Sequence, residues 1–242
     1  MIQMADTVIL KKIPGVIEIG IKQSKLLEQF KNIIPSLLEK GIDNLNLSMF
    51  NEEMRQNLLN ALGEEYFRKG KFEEAIKTFI LAGNKEKLTE IGDEYERIAL
   101  YEQAIDCYRL ADNFVRLMAI GKKCLEHGKL AAAIKAFKTL NDKEWLTKVG
   151  EDCLAKSKWD YAIEVFEAIG NKAALAKVGR VCLAERQYGY ALKAFELAQD
   201  KEGLTAVGDA CLREGLLKTS LDAYTLAKND MMVQFIKENF SR

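Results

Sequence analysis

Six glycines, Gly63, Gly92, Gly121, Gly150, Gly179 and Gly208, follow one another at a constant step of 29 residues. A fixed period of this length is the mark of a stacked repeat, in which each unit buries its apolar face only against its neighbours. Other columns keep the same step. Leu59, Leu88, Leu117, Leu146, Leu175 and Leu204 lie four residues before each glycine, and Leu62, Ile91, Ile120, Val149, Val178 and Val207 lie one before it. Ala75, Ala104, Ala133, Ala162, Ala191 and Ser220 stand twelve after it, and an aromatic column of Phe79, Tyr108, Phe137, Phe166, Phe195 and Tyr224 stands four further on. Each unit closes on Asn84, Asn113, Asp142, Asn171, Asp200 or Asn229.

Within a unit the apolar spacing is that of two helices. From Lys85 to Ile98 the positions Leu88, Ile91 and Tyr95 keep one helical face, and Tyr101, Ile105, Tyr108 and Ala111 keep another. Between them sits a turn column of Gly70, Ala99, Gly128, Ser157, Arg186 and Gly215, while the Asn/Asp column offers an N-cap acceptor to the next first helix. Each repeat is thus a helical hairpin. A glycine inside a helix costs about 1 kcal/mol relative to alanine, so a whole column of them has a packing reason. The glycine and the alanine twelve later are expected to face each other, with the aromatic filling the space beside them.

Composition agrees with a mostly helical chain: Leu, Ala, Lys and Glu abound, and the only two prolines are Pro14 and Pro35. Lys plus Arg and Asp plus Glu number 36 each, so no net field gathers polyanions and nucleic acid is not expected as a partner. The apolar run Val8 to Leu10 is stopped by Lys11 and Lys12, too short for a signal peptide, no Arg precedes Arg55, and no stretch approaches membrane-spanning length. A cytoplasmic protein is expected, without membrane insertion.

Small residues twelve apart, an aromatic four beyond the second, an alanine three beyond that and leucine-like residues before the glycine resemble the tetratricopeptide repeat over Gln56 to Asn229. The usual unit is about 34 residues. This one is five shorter, and the missing stretch falls after the second helix, where the family's proline would stand. Such compact units also resemble the tetratricopeptide-like solenoids of vesicle-coat and intraflagellar-transport subunits. The resemblance implies an all-α, right-handed α-solenoid of stacked antiparallel hairpins, whose first helices line a concave groove that grips a peptide or helix of another protein. The family's clamp for chaperone C-terminal carboxylates is absent, because its columns here read Asn60, Thr89, Met118, Thr147, Ala176, Thr205 and Glu64, Asp93, Lys122, Glu151, Arg180, Asp209.

Within that groove the candidate partner-binding residues are Met118, Lys122, Leu125, Leu154, Arg180 and Leu183. Phe67, Leu125, Leu154, Leu183 and Leu212 share one first-helix column, with Glu96 in its place in the second repeat. Two outcomes are open for this column: an apolar groove floor with basic edges, or burial between tightly curled first helices. Cys124, Cys153, Cys182 and Cys211 share another column. Neighbouring equivalent helices stand about 8 to 10 Å apart, beyond the roughly 7 Å reach of a disulfide, so these are expected to be buried core thiols. His127, the single histidine, ends a first helix and is expected to face solvent. No residue set points to catalysis, a metal or a cofactor.

Residues 1–50 depart from the repeat. Leu26, Leu27, Phe30, Ile33, Ile34, Leu37 and Leu38 form an apolar stripe from about Gln23 to Lys40, with Pro35 kinking it or starting a new helix and Gly41 ending it. This segment is expected to cap the first repeat, or else to pair with a partner through the apolar Ile13 to Ile21. Residues 51–242 hold six repeats and a last capping helix, in which Lys237 takes the glycine's place and a polar outer face is expected. The expected function is a protein-protein interaction scaffold, monomeric or weakly oligomeric; the alternative is a structural part of a coat-like or transport-like assembly that makes its contacts through its ends.

Overall fold

In the computed structural model of the chain, Phe30 and residues 32–240 are described. Their regular structure is helical, with no strand among the described residues. The chain divides into two compact units between Phe114 and Val115. The first holds α1 (Ile34–Lys40), a short 3-10 turn (Ile42–Asn44), and the hairpins α2 (Glu52–Arg68) with α3 (Phe72–Ala82) and α4 (Lys85–Arg97) with α5 (Tyr101–Leu110). The second takes in α6 (Phe114–Glu126), whose first residue lies at the division, and α7 (Leu130–Leu140), α8 (Lys143–Ala155), α9 (Trp159–Ala168), α10 (Lys172–Ala184), α11 (Tyr188–Ala198), α12 (Lys201–Arg213), α13 (Leu217–Ala227) and α14 (Asp230–Phe240). Inside each unit hairpins pack on themselves, and second helices pack on the first helix that follows. Each unit is an all-α, solenoid-like stack.

The boundaries follow from local chemistry. Asn84, Asp142, Asn171 and Asp200 each accept a hydrogen bond from the backbone N–H three residues on, which satisfies one orphan donor at the start of a first helix. The expected turn column is left-handed throughout: Gly70, Ala99, Gly128, Ser157, Arg186 and Gly215 have φ of 71°, 61°, 67°, 54°, 59° and 77°. A second left-handed column, Gly83, Asp112, Asn141, Gly170, Gln199 and Lys228, ends the second helices. Two such reversals per repeat keep both connections short.

The glycine column has a sharper cause than expected. A Cβ added at Gly63, Gly92, Gly150, Gly179 or Gly208 would come within 2.6 to 2.7 Å of the ring sixteen residues later, and at Gly121 within 2.9 Å of Phe137. The helices therefore meet glycine against aromatic ring, which no other residue permits at that distance. The alanine column also faces the glycine, as the sixth repeat shows: Ser220 there donates a 2.9 Å hydrogen bond to the Gly208 carbonyl. In two repeats of the second unit the ring also meets the third residue of the next first helix. Phe137 stacks on Trp145 with centroids 5.4 Å apart, and a Cβ at Gly203 would lie 2.3 Å from Phe195. Tyrosine replaces phenylalanine only in the two repeats that carry an aspartate one residue after the glycine. Tyr108 donates to Asp93 at 2.7 Å, with Glu96 also within 2.8 Å, and Tyr224 donates to Asp209 at 2.6 Å. A phenol that reaches past the glycine needs such an acceptor.

At the start of the described chain Pro35 sits in the first turn of α1, where its missing N–H costs nothing, and Gly41 at φ 79° ends the helix. Pro35 thus opens a new helix and does not kink a longer one. Phe30, Ile34 and Ile42 are buried, and α1 lies against α2, where a cap would lie. Leu26, Leu27 and Ile13 to Ile21 lie outside the described residues. The other end corrects an expectation. The exposed surface of α14 is not wholly polar: beside Asp230, Gln234, Lys237, Glu238 and Asn239, Met231 is 76% exposed, Phe235 44% and Phe240 48%. Phe240 occupies the Tyr/Cys column, which is at most 9% exposed in every preceding repeat, and no second helix among the described residues lies over it.

Candidate partner-binding face

All six candidate residues lie in the second unit. On α6, Met118, Lys122 and Leu125 are four and three residues apart, so they share one stripe. The same stripe carries Thr147, Glu151 and Leu154 on α8, Ala176, Arg180 and Leu183 on α10, and Thr205, Asp209 and Leu212 on α12. Because first helices repeat with one register, these stripes recur along the unit. Leu125, Leu154, Leu183 and Leu212 are half-buried, although the cysteine immediately before each is sealed in the core. Of the two outcomes open for this column, complete burial between first helices does not occur. In the first unit Phe67 and Glu96 hold the same column, also half-buried.

The charges beside the leucines are less uniform than basic edges would require. Lys122 and Arg180 are exposed, but Glu151 and Asp209 occupy the intervening and following positions, so the sign alternates from repeat to repeat. Lys122 is also committed within the fold. Its Nζ lies 4.9 Å from the centroid of the Trp145 ring, and that of Lys148 lies 4.7 Å from it. Trp145 covers Phe137, which leaves its own far face to be shielded by the two ammonium groups. Sequence reasoning missed this role. The signal was there: tryptophan stands in a column otherwise held by Leu58, Lys87, Arg116, Ala174, Gly203 and Met232, with Lys148 three residues on.

The other candidates fall into place by burial. None of the five cysteines forms a disulfide and all are buried, and burial pushes the Cys153 and Cys182 thiols up to about 11 and Cys107 up to about 12. They pack as small apolar groups. His127 is exposed just beyond α6. Among the described residues no group of three His, Cys, Asp or Glu side chains is placed to hold a metal ion, and no helix is long and apolar enough to cross a membrane.

Compared with protein-family models and with curated proteins, the chain matches none. The likeness to the tetratricopeptide repeat therefore rests on the residue columns and on the hairpin geometry they produce.

Proposed function

We propose that the chain is a tetratricopeptide-like, non-catalytic protein-binding module, and that the first helices of its second unit grip a peptide or amphipathic helix of another protein. One observation carries this: the leucine column Leu125, Leu154, Leu183 and Leu212 stays partly open to solvent although the cysteine column immediately before it is fully buried. Four leucines at one position, each adjoining a core cysteine, gain little by being leucine unless a second surface covers them. Burying the open part of each contributes a fraction of the roughly 1.5 to 3 kcal/mol of a fully buried leucine. The alternating charges Lys122, Glu151, Arg180 and Asp209 favour a partner that carries its own charges in alternation beside apolar anchors. Buried thiols that form no disulfide support a reducing compartment, the cytosol in this reading.

The test is a comparison of partner capture by the native chain and by Leu154→Asp. Loss of the partner with an unchanged melting curve supports the groove. A Leu154→Asp variant that captures the same protein equally well refutes it. The second reading, an assembly part that makes contacts through its ends, draws on the exposed Met231, Phe235 and Phe240 of α14. Defined, concentration-dependent self-association in sedimentation experiments would favour it.

A further inference from the structure

The stripe on the first helices of the second unit has dimensions that select among its possible occupants. On α6 it runs from Met118 to Leu125, about 10 Å along the helix, and it recurs at the matching positions of α8, α10 and α12. One rim is the half-buried row Leu125, Leu154, Leu183 and Leu212. The other rim is low, because small Thr147, Ala176 and Thr205 follow Met118 there. The Thr147 and Thr205 hydroxyls donate to the carbonyls of Lys143 and Lys201 at 2.8 and 2.9 Å, so their hydrogen bonding is already satisfied. Such a width suits an α-helix, whose diameter with side chains is about 10 to 12 Å.

The spacing along the stack points the same way. Neighbouring first helices stand about 8 to 10 Å apart, and α10 and α12 lie directly against each other. The leucines recur at about that interval. On an α-helix the residue seven places on lies about 10.5 Å further and within about 20° of the same face. A β-strand returns to one face about every 6.6 Å and falls out of step. Polyproline II keeps step, at about 9.3 Å for three residues, but is slimmer than the channel.

Charge specifies the rest. Between the rims run Lys122, Glu151, Arg180 and Asp209. The outer two are engaged within the fold: Lys122 lies 4.9 Å from the Trp145 ring centroid, and Asp209 accepts the Tyr224 hydroxyl at 2.6 Å. Glu151 and Arg180 are exposed on successive first helices, and no hydrogen bond or ion pair holds either among the described residues. A ligand meets one free carboxylate and one free guanidinium, one repeat apart.

We infer that this groove takes a partner α-helix lying along the stack, with apolar anchors at every seventh residue and, beside two successive anchors, a base against Glu151 and an acid against Arg180. The inference rests on the groove function proposed above and names its ligand.

The probe is a fluorescent synthetic helix of four heptads with Leu at every seventh position, Lys beside the second Leu, Glu beside the third, and Ala and Gln elsewhere. It is titrated with the full-length protein and followed by anisotropy. Saturable binding is expected, at least about tenfold tighter than that of the same residues rearranged with Leu at every fifth position. A version with Glu at both charged positions should bind about fivefold more weakly, and Arg180→Glu should come to prefer a version with Lys at both by a similar factor, as an exposed ion pair allows. Arg180 is exposed, so this variant should keep the native melting curve. A polyproline peptide with Leu at every third residue that binds more tightly than the helix, and is lost in Leu154→Asp, would overturn the helical ligand and leave the groove standing. Equal binding of the charge versions, equal binding of the two leucine spacings, or no saturation by the helix up to about 1 mM would also overturn it. Binding of the helix that Leu154→Asp does not weaken would overturn the groove itself, and this inference with it.

Discussion

Replacing Gly150 by alanine isolates the contact on which the hairpins are built. At an unobstructed helical glycine this change stabilises a protein by about 1 kcal/mol, because alanine loses less backbone entropy and keeps the helix better. At Gly150 the new Cβ would stand 2.7 Å from Cε1 and Cζ of Phe166 and 3.1 Å from a methyl of Val165. Carbon atoms pack at about 3.5 to 4.0 Å, so the ring must retreat by about 1 Å. Phe166 is 2% exposed and lies among fully buried Ala162, Ile163 and Val165, which leaves it no open side. Overpacking of this kind costs about 1 to 3 kcal/mol, and the helix gain offsets about 1, so a net loss of up to about 2 kcal/mol is expected. Gly189 is the matched control, a helical glycine of α11 with nothing within 4 Å of its virtual Cβ. Gly189→Ala should raise the melting temperature while Gly150→Ala lowers it. A difference of about 1 to 3 kcal/mol between them corresponds to about 3 to 10 °C for a chain of this size. Thermal melts by circular dichroism read this directly. In a Phe166→Leu background the penalty of Gly150→Ala should largely vanish, which is the coupling expected of atoms in contact. Gly150→Ala stabilising like Gly189→Ala, or costing as much without the ring, would refute the contact.

Gly203, whose virtual Cβ lies 2.3 Å from the Phe195 ring, should be less tolerant still, so that Gly203→Ala melts below Gly150→Ala in the same assay. The thiols should be inert: with Cys153 and Cys182 raised to about 11 from the ordinary 9.0, they stay protonated at pH 8, and their ionisation waits until the pH nears 11. A disulfide-exchange reagent at pH 8 should label none of the five cysteines in the native protein and all of them after unfolding; stoichiometric labelling of the native form would contradict this. Ala99, exposed and held at φ 61°, bears the strain of a left-handed L-residue, so Ala99→Gly should stabilise by about 1 kcal/mol, and a melt that does not rise would show the turn to be unstrained.

What the sequence makes legible is whatever depends on a residue type that one geometry demands. Glycine against a ring, an Asn or Asp at an N-cap and an apolar pair before the glycine repeat because nothing else serves, and they mark the helices to within a residue or two. The left-handed column ending the second helices was hidden for the opposite reason. Gln199 and Lys228 carry no local preference for that conformation, and the packing of the hairpin imposes it on them. Gly203 escaped notice because it lies outside the 29-residue glycine register and is paired with a ring from the preceding repeat. The exposure of α14 was misjudged because its apolar columns match the other first helices in type, and Phe240 differs from the buried Tyr95 in that no second helix among the described residues covers it. In the candidate face, the stripe follows from helical spacing alone, whereas the engagement of Lys122 depends on how far apart two helices stand.

That engagement separates two cations the sequence treats alike. Arg180 is exposed, and no partner holds it among the described residues. Lys122 lies against Trp145 and shares the ring with Lys148. An acidic group of a partner can take Arg180 without breaking anything, but at Lys122 it must draw the ammonium off the ring, at a cost of about 0.5 to 1 kcal/mol for an exposed cation–π contact. Partner charge should therefore act first through Arg180. Arg180→Glu should slow association with the groove partner and weaken the salt dependence of that rate, while leaving the melting temperature unchanged. Lys122→Ala should do the reverse, lowering the melting temperature by a degree or two, on the order of 2 to 4 °C per kcal/mol, with little effect on the association rate. Stopped-flow association rates at two ionic strengths, measured beside thermal melts, separate the two. Equal kinetic effects with no change in stability would show that Lys122 stands free of Trp145 in solution and that both cations belong to the binding face.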